Sequence, residues 1–199
     1  MQNESAYRWG RYGVCQGAAN RSRLSRLTKR ATCVIVVMMG VTGSGKSTIG
    51  TLLAQRAGAL FADGDDYHPA ANKAKMAAGM PLTDEDRLPW LEELNRLLKQ
   101  WYAAGTKGVL ACSALKQSYR QTLSMGLPET AIQFVLLDGS PDLIASRLAM
   151  RHHEYMNPKL LESQLNTLEL PQHALRFVNN KPPAEVVDQI LEHLHGFER

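Results

Sequence analysis

Apolar runs alternate with helical stretches from Cys33 onward, and this pattern is typical of an α/β protein with a parallel sheet. Each run spans four to seven residues, which is the length of a buried strand. The predicted strands are Cys33–Met39, Ala59–Ala62, Gly108–Cys112, Ile132–Asp138 and Ala174–Val178. The sequence therefore predicts a three-layer α/β/α domain over residues 33–199, built on a five-stranded parallel sheet.

The clearest helical pattern lies between the second and third predicted strands. Pro89–Tyr102 has apolar residues at 90, 91, 94, 97, 98 and 101, an i, i+3, i+4, i+7 stripe, and Pro89 suits the first turn of a helix. Trp90 and Trp101 are therefore predicted to lie in the core. The other predicted helices are Thr48–Arg56, Asp142–Met150 behind a Ser140-Pro141 cap, and a last helix that Pro182-Pro183 opens and that runs to Leu194.

The first predicted strand leads into a complete phosphate-binding loop pattern, Gly40-x-x-x-x-Gly45-Lys46-Ser47. Its glycines let the backbone curl so that N–H groups point at phosphate oxygens, and the positive end of the next helix adds to the attraction. We expect Lys46 to reach the β/γ-phosphates of ATP and the Ser47 hydroxyl to hold Mg²⁺. The predicted nucleotide contacts are Gly40, Val41, Thr42, Gly43, Ser44, Gly45, Lys46, Ser47 and Thr48.

The formal net charge of +4 is concentrated at the amino terminus. Residues 1–30 hold seven Lys or Arg residues and one acid, a net +6, whereas the rest of the chain has 16 basic and 18 acidic residues. Because a basic tail says little about what a folded domain binds, no nucleic-acid partner is predicted. Residues 1–32 are predicted to be a disordered extension, with a transit peptide, a basic arm and a mis-set translation start as competing interpretations.

The remaining composition is that of an ordinary globular protein, with 44% hydrophobic and 21% charged residues. No apolar run approaches the roughly 18 residues of a membrane-spanning helix, so no membrane span is predicted. Cys15, Cys33 and Cys112 show no metal-ligand spacing and cannot pair completely. This cysteine usage favours reduced thiols in a cytoplasmic protein.

A phosphate-binding loop occurs in kinases, GTPases, ATPase motors and transport subunits, so other features must separate these classes. The guanine-reading motif Asn-Lys-x-Asp lacks its aspartate in Asn180-Lys181-Pro182-Pro183, and the transporter signature Leu-Ser-Gly-Gly-Gln does not occur. The short chain favours a small-molecule kinase, whose second substrate lies over the carboxyl ends of the strands.

An acidic turn, Asp63-Gly64-Asp65-Asp66, follows the second predicted strand at this edge. A carboxylate there can accept the proton of an attacking hydroxyl or help to hold Mg²⁺. Asp65 is predicted as the catalytic base, and Asp63 as its support and a metal-binding residue; a solvated acidic turn is the alternative. The third strand ends in Cys112-Ser113 without a Walker-B aspartate, so Asp63 or Asp65 gains importance for metal positioning, and Cys112 is predicted to be a packed thiol.

Four separated motifs make a more specific comparison possible. They are Met39–Ser47, Asp63–Met76, Gly79–Leu91 and Cys112–Arg120. In this order they resemble bacterial-type gluconokinase nearly residue for residue, and the resemblance covers about residues 33–195. It implies ATP-dependent phosphorylation of D-gluconate at its 6-hydroxyl, a P-loop fold similar to nucleoside-monophosphate kinases with a helical lid, and a chain that often forms homodimers.

The residues also fit a small polyhydroxy acid independently of the resemblance. An anionic substrate needs fixed cations, and its hydroxyls need polar partners. Each long side chain could instead be a solvated surface charge, and His68 before Pro69 could merely pack a turn. The predicted substrate contacts are the cations Lys75, Arg87, Lys116 and Arg120 and the hydroxyl partners Asp65, His68, Asp86 and Ser113.

Residues 151–156 correspond to a kinase lid, whose closure brings an arginine onto the nucleotide and excludes water. Arg151 is predicted to contact ATP and to act in catalysis, whereas Arg147 could equally be a helix-surface residue. The family pattern Arg-x-Gly-His-Phe is replaced here by Arg151-His-His-Glu-Tyr155, so its histidine contact is not carried over.

Two alternatives remain open from the sequence. Shikimate kinase shares the loop and an Asp-x-Asp after the second strand, but it would carry a Gly-Gly-Gly turn where this chain has Cys112-Ser113-Ala114. A nucleotide-binding regulatory protein with a basic arm is the alternative outside the enzymes, and it loses its only support if residues 1–30 are dispensable.

Overall fold

The computed structural model describes residues 35–149, 158–194 and 197, and its five strands form one parallel sheet in the order β2-β3-β1-β4-β5. The strands are β1 (Ile35–Met39), β2 (Leu60–Asp63), β3 (Gly108–Ala111), β4 (Ile132–Asp138) and β5 (Leu175–Val178). The predicted five-stranded parallel sheet is confirmed, and every strand end that can be compared lies within one residue of its prediction. The predicted extension 1–32 and the lid residue Arg151 lie outside the described residues.

Helices follow the strands and cover both faces of the sheet. Short 3₁₀ turns span Gly64–Tyr67 and Glu129–Ala131. Within the described ranges, no helix is both long enough and apolar enough to span a membrane. The helices are α1 (Lys46–Ala57), α2 (Ala70–Ala77), α3 (Asp84–Ala103), α4 (Gln117–Ser124), α5 (Pro141–Ala149), α6 (Pro158–Thr167) and α7 (Pro183–His193).

Strand β1 is buried on both faces because its side chains alternate between two hydrophobic clusters. Its odd-numbered residues pack against α3, where Trp90 and Trp101 are buried as predicted. Its even-numbered residues pack against α1 and α7. The central strand therefore holds together the two helical layers, and it fixes the position of the loop that follows it.

Helix α3 begins earlier than the sequence predicts because Thr83 caps it. The Thr83 hydroxyl accepts the Asp86 N–H (3.2 Å), and the Asp86 carboxylate accepts the Thr83 N–H (2.9 Å), so the two residues form a reciprocal capping box. Pro89 lies inside the helix, so the prediction that it opens the helix is wrong. An interior proline cannot donate a ladder hydrogen bond, but the capping box and the buried Trp90 stabilise this end of the helix.

A third hydrophobic cluster lies beyond the carboxyl ends of the strands and supports the loop after β1. In this cluster Val41 packs with Leu115, Ile144 and Leu161. The Thr42 N–H donates to Gln164 Oε1 on α6 (2.6 Å). The loop is therefore held from α5 and α6 as well as from its own strand.

Candidate active site

The phosphate-binding loop has the curled backbone that its glycines predict. Gly40, Gly43 and Gly45 have φ angles of 141°, 76° and 96°, in the left-handed region that favours glycine. A Cβ on Gly40 would lie 2.6 Å from the Leu137 carbonyl oxygen, so no larger residue fits there. Helix α1 starts at Lys46 directly after the loop, which directs its positive end at the loop. This is the backbone arrangement that binds phosphate.

The two residues predicted to bind metal lie together. The Ser47 hydroxyl at the start of α1 donates to Asp63 Oδ2 at the end of β2 (2.5 Å). No group of three or more His, Cys, Asp or Glu side chains in the described part of the chain could hold a metal. A site with only two protein oxygens fits Mg²⁺, which keeps several waters and takes its other ligands from substrate phosphates. The Lys46 ammonium donates to the Val41 carbonyl (3.0 Å) across the loop.

Asp65 lies in the 3₁₀ turn after β2, and its side chain is 84% exposed to the cleft. Its backbone N–H donates to Asp63 Oδ1 (3.1 Å), so Asp63 supports the turn as well as contacting Ser47. The pKa of Asp65 is raised overall. Desolvation by the surrounding protein is the largest cause, the charges of Asp63 and Asp66 add to it, and nearby Lys46 opposes it. Asp65 is therefore an accessible carboxylate close to the loop lysine.

His68 is buried behind this turn. Its ring stacks on Trp90 with centroids 4.1 Å apart, and the Trp90 indole N–H donates to the Gly64 carbonyl (2.7 Å). Burial, together with the charges of Arg87 and Lys73, lowers the pKa of His68 from 6.5 to about 4. The imidazole is consequently neutral at neutral pH, so it can contribute hydrogen bonds but no positive charge.

Two of the predicted substrate cations lie side by side on Tyr119. The Lys116 ammonium donates to both oxygens of Asp84 (2.9 and 2.7 Å), and Arg87 Nη1 lies 3.9 Å from the same carboxylate. Both cations lie over the Tyr119 ring, 5.6 and 5.7 Å from its centroid, and the Tyr119 hydroxyl also donates to Asp84. Hydrogen bonds from Lys116 and Tyr119 lower the pKa of Asp84.

The other predicted substrate residues are engaged elsewhere. Lys75 donates to both oxygens of Asp86 (2.6 and 2.8 Å), so these two residues bind each other and close the α3 cap. The buried Arg120 guanidinium donates to the Ala114 and Leu115 carbonyls (2.9 and 3.0 Å), which supports the turn after β3. The Ser113 carbonyl accepts the Gly40 N–H (3.3 Å), which places Ser113 beside the phosphate loop.

The turn after β3 has an unusual backbone. Ala114 has φ 43°, the only positive φ among the described residues other than glycine. A left-handed alanine costs roughly 1–3 kcal/mol, so the surrounding structure must hold it in place. Its carbonyl accepts a hydrogen bond from the Arg120 guanidinium, and Ser113 and Lys116 lie next to it in the same segment between β3 and α4. Cys112, at the end of β3, is buried and burial raises its pKa to about 12, which confirms the prediction of a packed thiol.

Sequence reasoning missed Asn179, which follows β5 and is buried against the phosphate loop. Its amide donates to the Ser44 carbonyl (2.7 Å), and its backbone N–H donates to Asp138 (2.8 Å). A cleft of about 280 Å³ beside the loop is lined by Gly43, Gly45, Thr48, Ile49, Arg147, Asn179, Lys181 and Pro183. Asn179 could have been predicted as a site residue, because it comes directly after a strand and ligands in such sheets bind at the carboxyl ends of the strands. Asp84 and Tyr119 were also missed, although both lie within the motifs that carry the resemblance.

Comparison with known proteins gives consistent matches. A family model described as shikimate kinase matches residues 42–195. The chain is 44% identical over 164 residues to the gluconokinase of Gluconobacter oxydans (strain 621H), covering 81% of this chain and 91% of that protein. It is 40% identical over 172 residues to a probable gluconokinase of Dictyostelium discoideum, covering 81% and 86%. A solved gluconokinase from Sinorhizobium meliloti 1021 is similar with a TM-score of 0.72 and 41% identity, covering 85% of this chain and 93% of that one.

Proposed function

Because the chain belongs to the gluconokinase family and has the fold of the shikimate kinase family model, we propose that it transfers the γ-phosphoryl group of ATP to the 6-hydroxyl of D-gluconate. The observation that carries the proposal is the likeness to gluconokinases at 40–44% identity over 81% of the chain. The site adds a chemical reason, because a phosphate loop, an accessible carboxylate and a pair of cations meet at one edge of the sheet.

The phosphate end of the reaction is assigned to the loop and to the start of α1. Backbone N–H groups of residues 40–48 bind the β- and γ-phosphates, and Lys46 turns from the Val41 carbonyl to the transferring group. Ser47 and Asp63 are the residues that would hold Mg²⁺, which when bound neutralises charge on the β- and γ-phosphates. Arg147 and Lys181 line the neighbouring cleft, and we assign them to the rest of the nucleotide.

The acceptor end is assigned to Asp65. Its carboxylate accepts the proton of the 6-hydroxyl as that oxygen forms a bond to the γ-phosphorus, and the bond between the γ-phosphorus and the bridging oxygen breaks, so the electron pair leaves with ADP. Desolvation raises the pKa of Asp65, and Lys46 is close enough for its charge to oppose that rise, which is consistent with a base that lies near the loop lysine. Arg151 lies outside the described residues, and its assignment to the nucleotide rests on the resemblance of its segment to a kinase lid.

The carboxylate of the substrate is assigned to Arg87 and Lys116. Lys116 pairs with the Asp84 carboxylate and Arg87 Nη1 lies 3.9 Å from it, both over the Tyr119 ring, and in this proposal the carboxylate of an aldonic acid takes the place of Asp84 beside the two cations. Ser113 is assigned to a substrate hydroxyl, because its carbonyl accepts the Gly40 N–H of the phosphate loop. In this assignment Lys75, Asp86 and Arg120 shape the site without binding substrate: Lys75 and Asp86 close the α3 cap together, and the buried Arg120 supports the turn after β3.

Shikimate kinase-like activity is the alternative, and the turn after β3 argues against it. The chain places Cys112-Ser113-Ala114 there with alanine in the left-handed region, where the shikimate pattern has glycines. We further propose a cytoplasmic enzyme, because three cysteines cannot pair completely, and a homodimer, from the family resemblance. Sedimentation velocity of the purified protein tests the assembly.

The test of the function is coupled ADP release by the purified protein with D-gluconate, other aldonic acids, shikimate and nucleoside monophosphates. We expect gluconate to give the highest kcat/KM and its product to be the 6-phosphate. Preferential turnover of shikimate or of a nucleotide would refute the proposal.

A further inference from the structure

We propose that Asn72 and His68 form a positioning pair for Asp65: Asn72 fixes the His68 tautomer that carries its proton on Nε2, and that N–H orients the Asp65 carboxylate toward the acceptor hydroxyl. The inference rests on the proposed function, since it assigns Asp65 the role of base. It adds Asn72 as a residue of the site and gives His68 a role other than substrate contact.

The orientation of the buried Asn72 amide follows from its neighbours. Its Nδ2 lies 2.7 Å from the Asp86 carbonyl oxygen and 3.4 Å from His68 Nδ1. A carbonyl oxygen can only accept, so it is the amide nitrogen, and not the amide oxygen, that lies on this side. The amide group has two N–H bonds, and its second one faces the His68 ring nitrogen. His68 Nδ1 must therefore accept, which leaves the proton of the neutral imidazole on Nε2.

The ring that carries this proton is held in place by its stack on Trp90. His68 is stacked on Trp90, whose N–H is fixed on the Gly64 carbonyl between Asp63 and Asp65. The charged groups that face the ring are Asp65 from its own turn, Lys73 from α2 and Arg87 from α3. The two cations and burial keep the imidazole neutral, so Nε2–H is a neutral donor directed at the carboxylate.

His68 Nε2 lies 4.0 Å from Asp65 Oδ1, which is longer than a hydrogen bond. The Asp65 backbone is already fixed by its N–H bond to Asp63, whereas its exposed side chain can rotate toward the ring. Catalytic hydrogen bonds are often long before substrate binds and shorten in the reactive complex. Once His68 holds one carboxylate oxygen, the other is left to receive the hydroxyl proton, and the pair should act mainly on kcat.

Two variants of His68 separate hydrogen bonding from packing. His68→Gln places an amide N–H near the Nε2 position and is expected to keep kcat within about threefold of the wild type. His68→Phe keeps a ring on Trp90 but removes the donor, and it is expected to lower kcat on the order of 10- to 100-fold with little change in the KM for ATP. Melting temperatures of both variants report whether each is folded. If His68→Phe keeps wild-type kcat while His68→Gln loses it, the role is packing and the proposal is overturned.

The tautomer can be measured without substrate, by nitrogen NMR of the histidine side chains near neutral pH. We expect the His68 proton on Nε2 in the wild type and a mixture of tautomers in Asn72→Leu. A His68 proton on Nδ1 in the wild type would overturn the proposal, whether or not His68→Phe folds. This measurement does not depend on the substrate, so it separates failure of the pairing from failure of gluconate turnover.

A double-mutant cycle then tests the coupling between the two residues. Asn72→Leu should lower kcat in the wild-type background and have no further effect on kcat in His68→Phe, because its effect passes through the ring. If the two losses in kcat add fully, Asn72 acts independently of His68 and the pairing is wrong.

Discussion

Arg87→Ala tests the substrate-binding half of the proposed site. Arg87 lies in the first turn of α3, its side chain is 23% exposed, and its Nη1 donates to the Leu82 carbonyl (2.5 Å). The guanidinium also lies over the Tyr119 ring. A guanidinium held in this way is pre-oriented, so it loses little conformational entropy when a carboxylate binds. Its removal should therefore remove most of its contribution to substrate binding.

The expected size follows from the kind of bond that is lost. A hydrogen bond to a charged group contributes about 1.5–3 kcal/mol, which corresponds to a roughly tenfold to hundredfold rise in the KM for gluconate. The KM for ATP should change little, because the hydrogen-bond partners of Arg87 are the Leu82 carbonyl and the Tyr119 hydroxyl, and neither residue belongs to the phosphate loop. The kcat should also stay close to that of the wild type if the bond is equally strong in ground and transition states.

The assay is coupled ADP release with each substrate varied at saturation of the other. Arg96→Ala is the matched control, since Arg96 lies on the same helix, is 67% exposed and pairs with Glu93 away from the cleft. Unfolding curves of both variants show whether the unpaired Leu82 carbonyl destabilises the fold. Equal rises in both KM values would place Arg87 on the nucleotide, and no rise in either would remove it from the site; either result would refute the substrate assignment.

Four further predictions follow from the site and the extension. Lys46→Ala should abolish phosphoryl transfer with an unchanged circular dichroism spectrum, and wild-type turnover at saturating ATP would contradict the role of the loop. Asp65→Asn should depress kcat strongly with a smaller effect on the KM for gluconate, and a change confined to KM would assign Asp65 to binding. The pKa of His68 is about 4 in the folded chain and ordinarily 6.5, so the unfolded chain binds the proton more readily. The free energy of unfolding should therefore fall as the pH drops from 6.5 to about 4. Urea titrations of His68→Gln should show a smaller fall, and an equal one would exclude His68 as its source. A chain beginning at Thr32 should keep its kinetic constants, and a tenfold loss of turnover would show that the extension serves the site.

Features of this protein that have local causes could be predicted from its sequence. The glycine spacing of the phosphate loop requires positive φ angles, and Gly40, Gly43 and Gly45 have them. The apolar runs predicted the five strands because a strand covered on both faces must be apolar throughout, as β1 is. The apolar run of β2 ends before Asp63, so the same rule predicted that Asp63 and Asp65 follow this strand. These properties depend on residues that are close together in the chain, so the sequence pattern predicts them.

Only the packed fold shows which partner each of the predicted substrate cations has. Lys75, Arg87, Lys116 and Arg120 are alike in sequence, yet Lys75 is bound to Asp86 and Arg120 to two backbone carbonyls. Lys116 donates a hydrogen bond to Asp84, which lies 32 residues earlier in the chain. The capping box placed Pro89 inside α3, which the preference of proline for a first turn did not predict.

The partners of the buried polar groups could not be predicted from the sequence either. The contacts of Asn72 with Asp86, of Trp90 with Gly64 and of Asn179 with Ser44 join segments that the sheet and its helices bring together. A buried polar group must find a partner, but the partner is whichever group the fold places within about 3 Å of it. Residue type therefore predicts that such a bond is needed, and only the packing of distant segments determines with which group it forms.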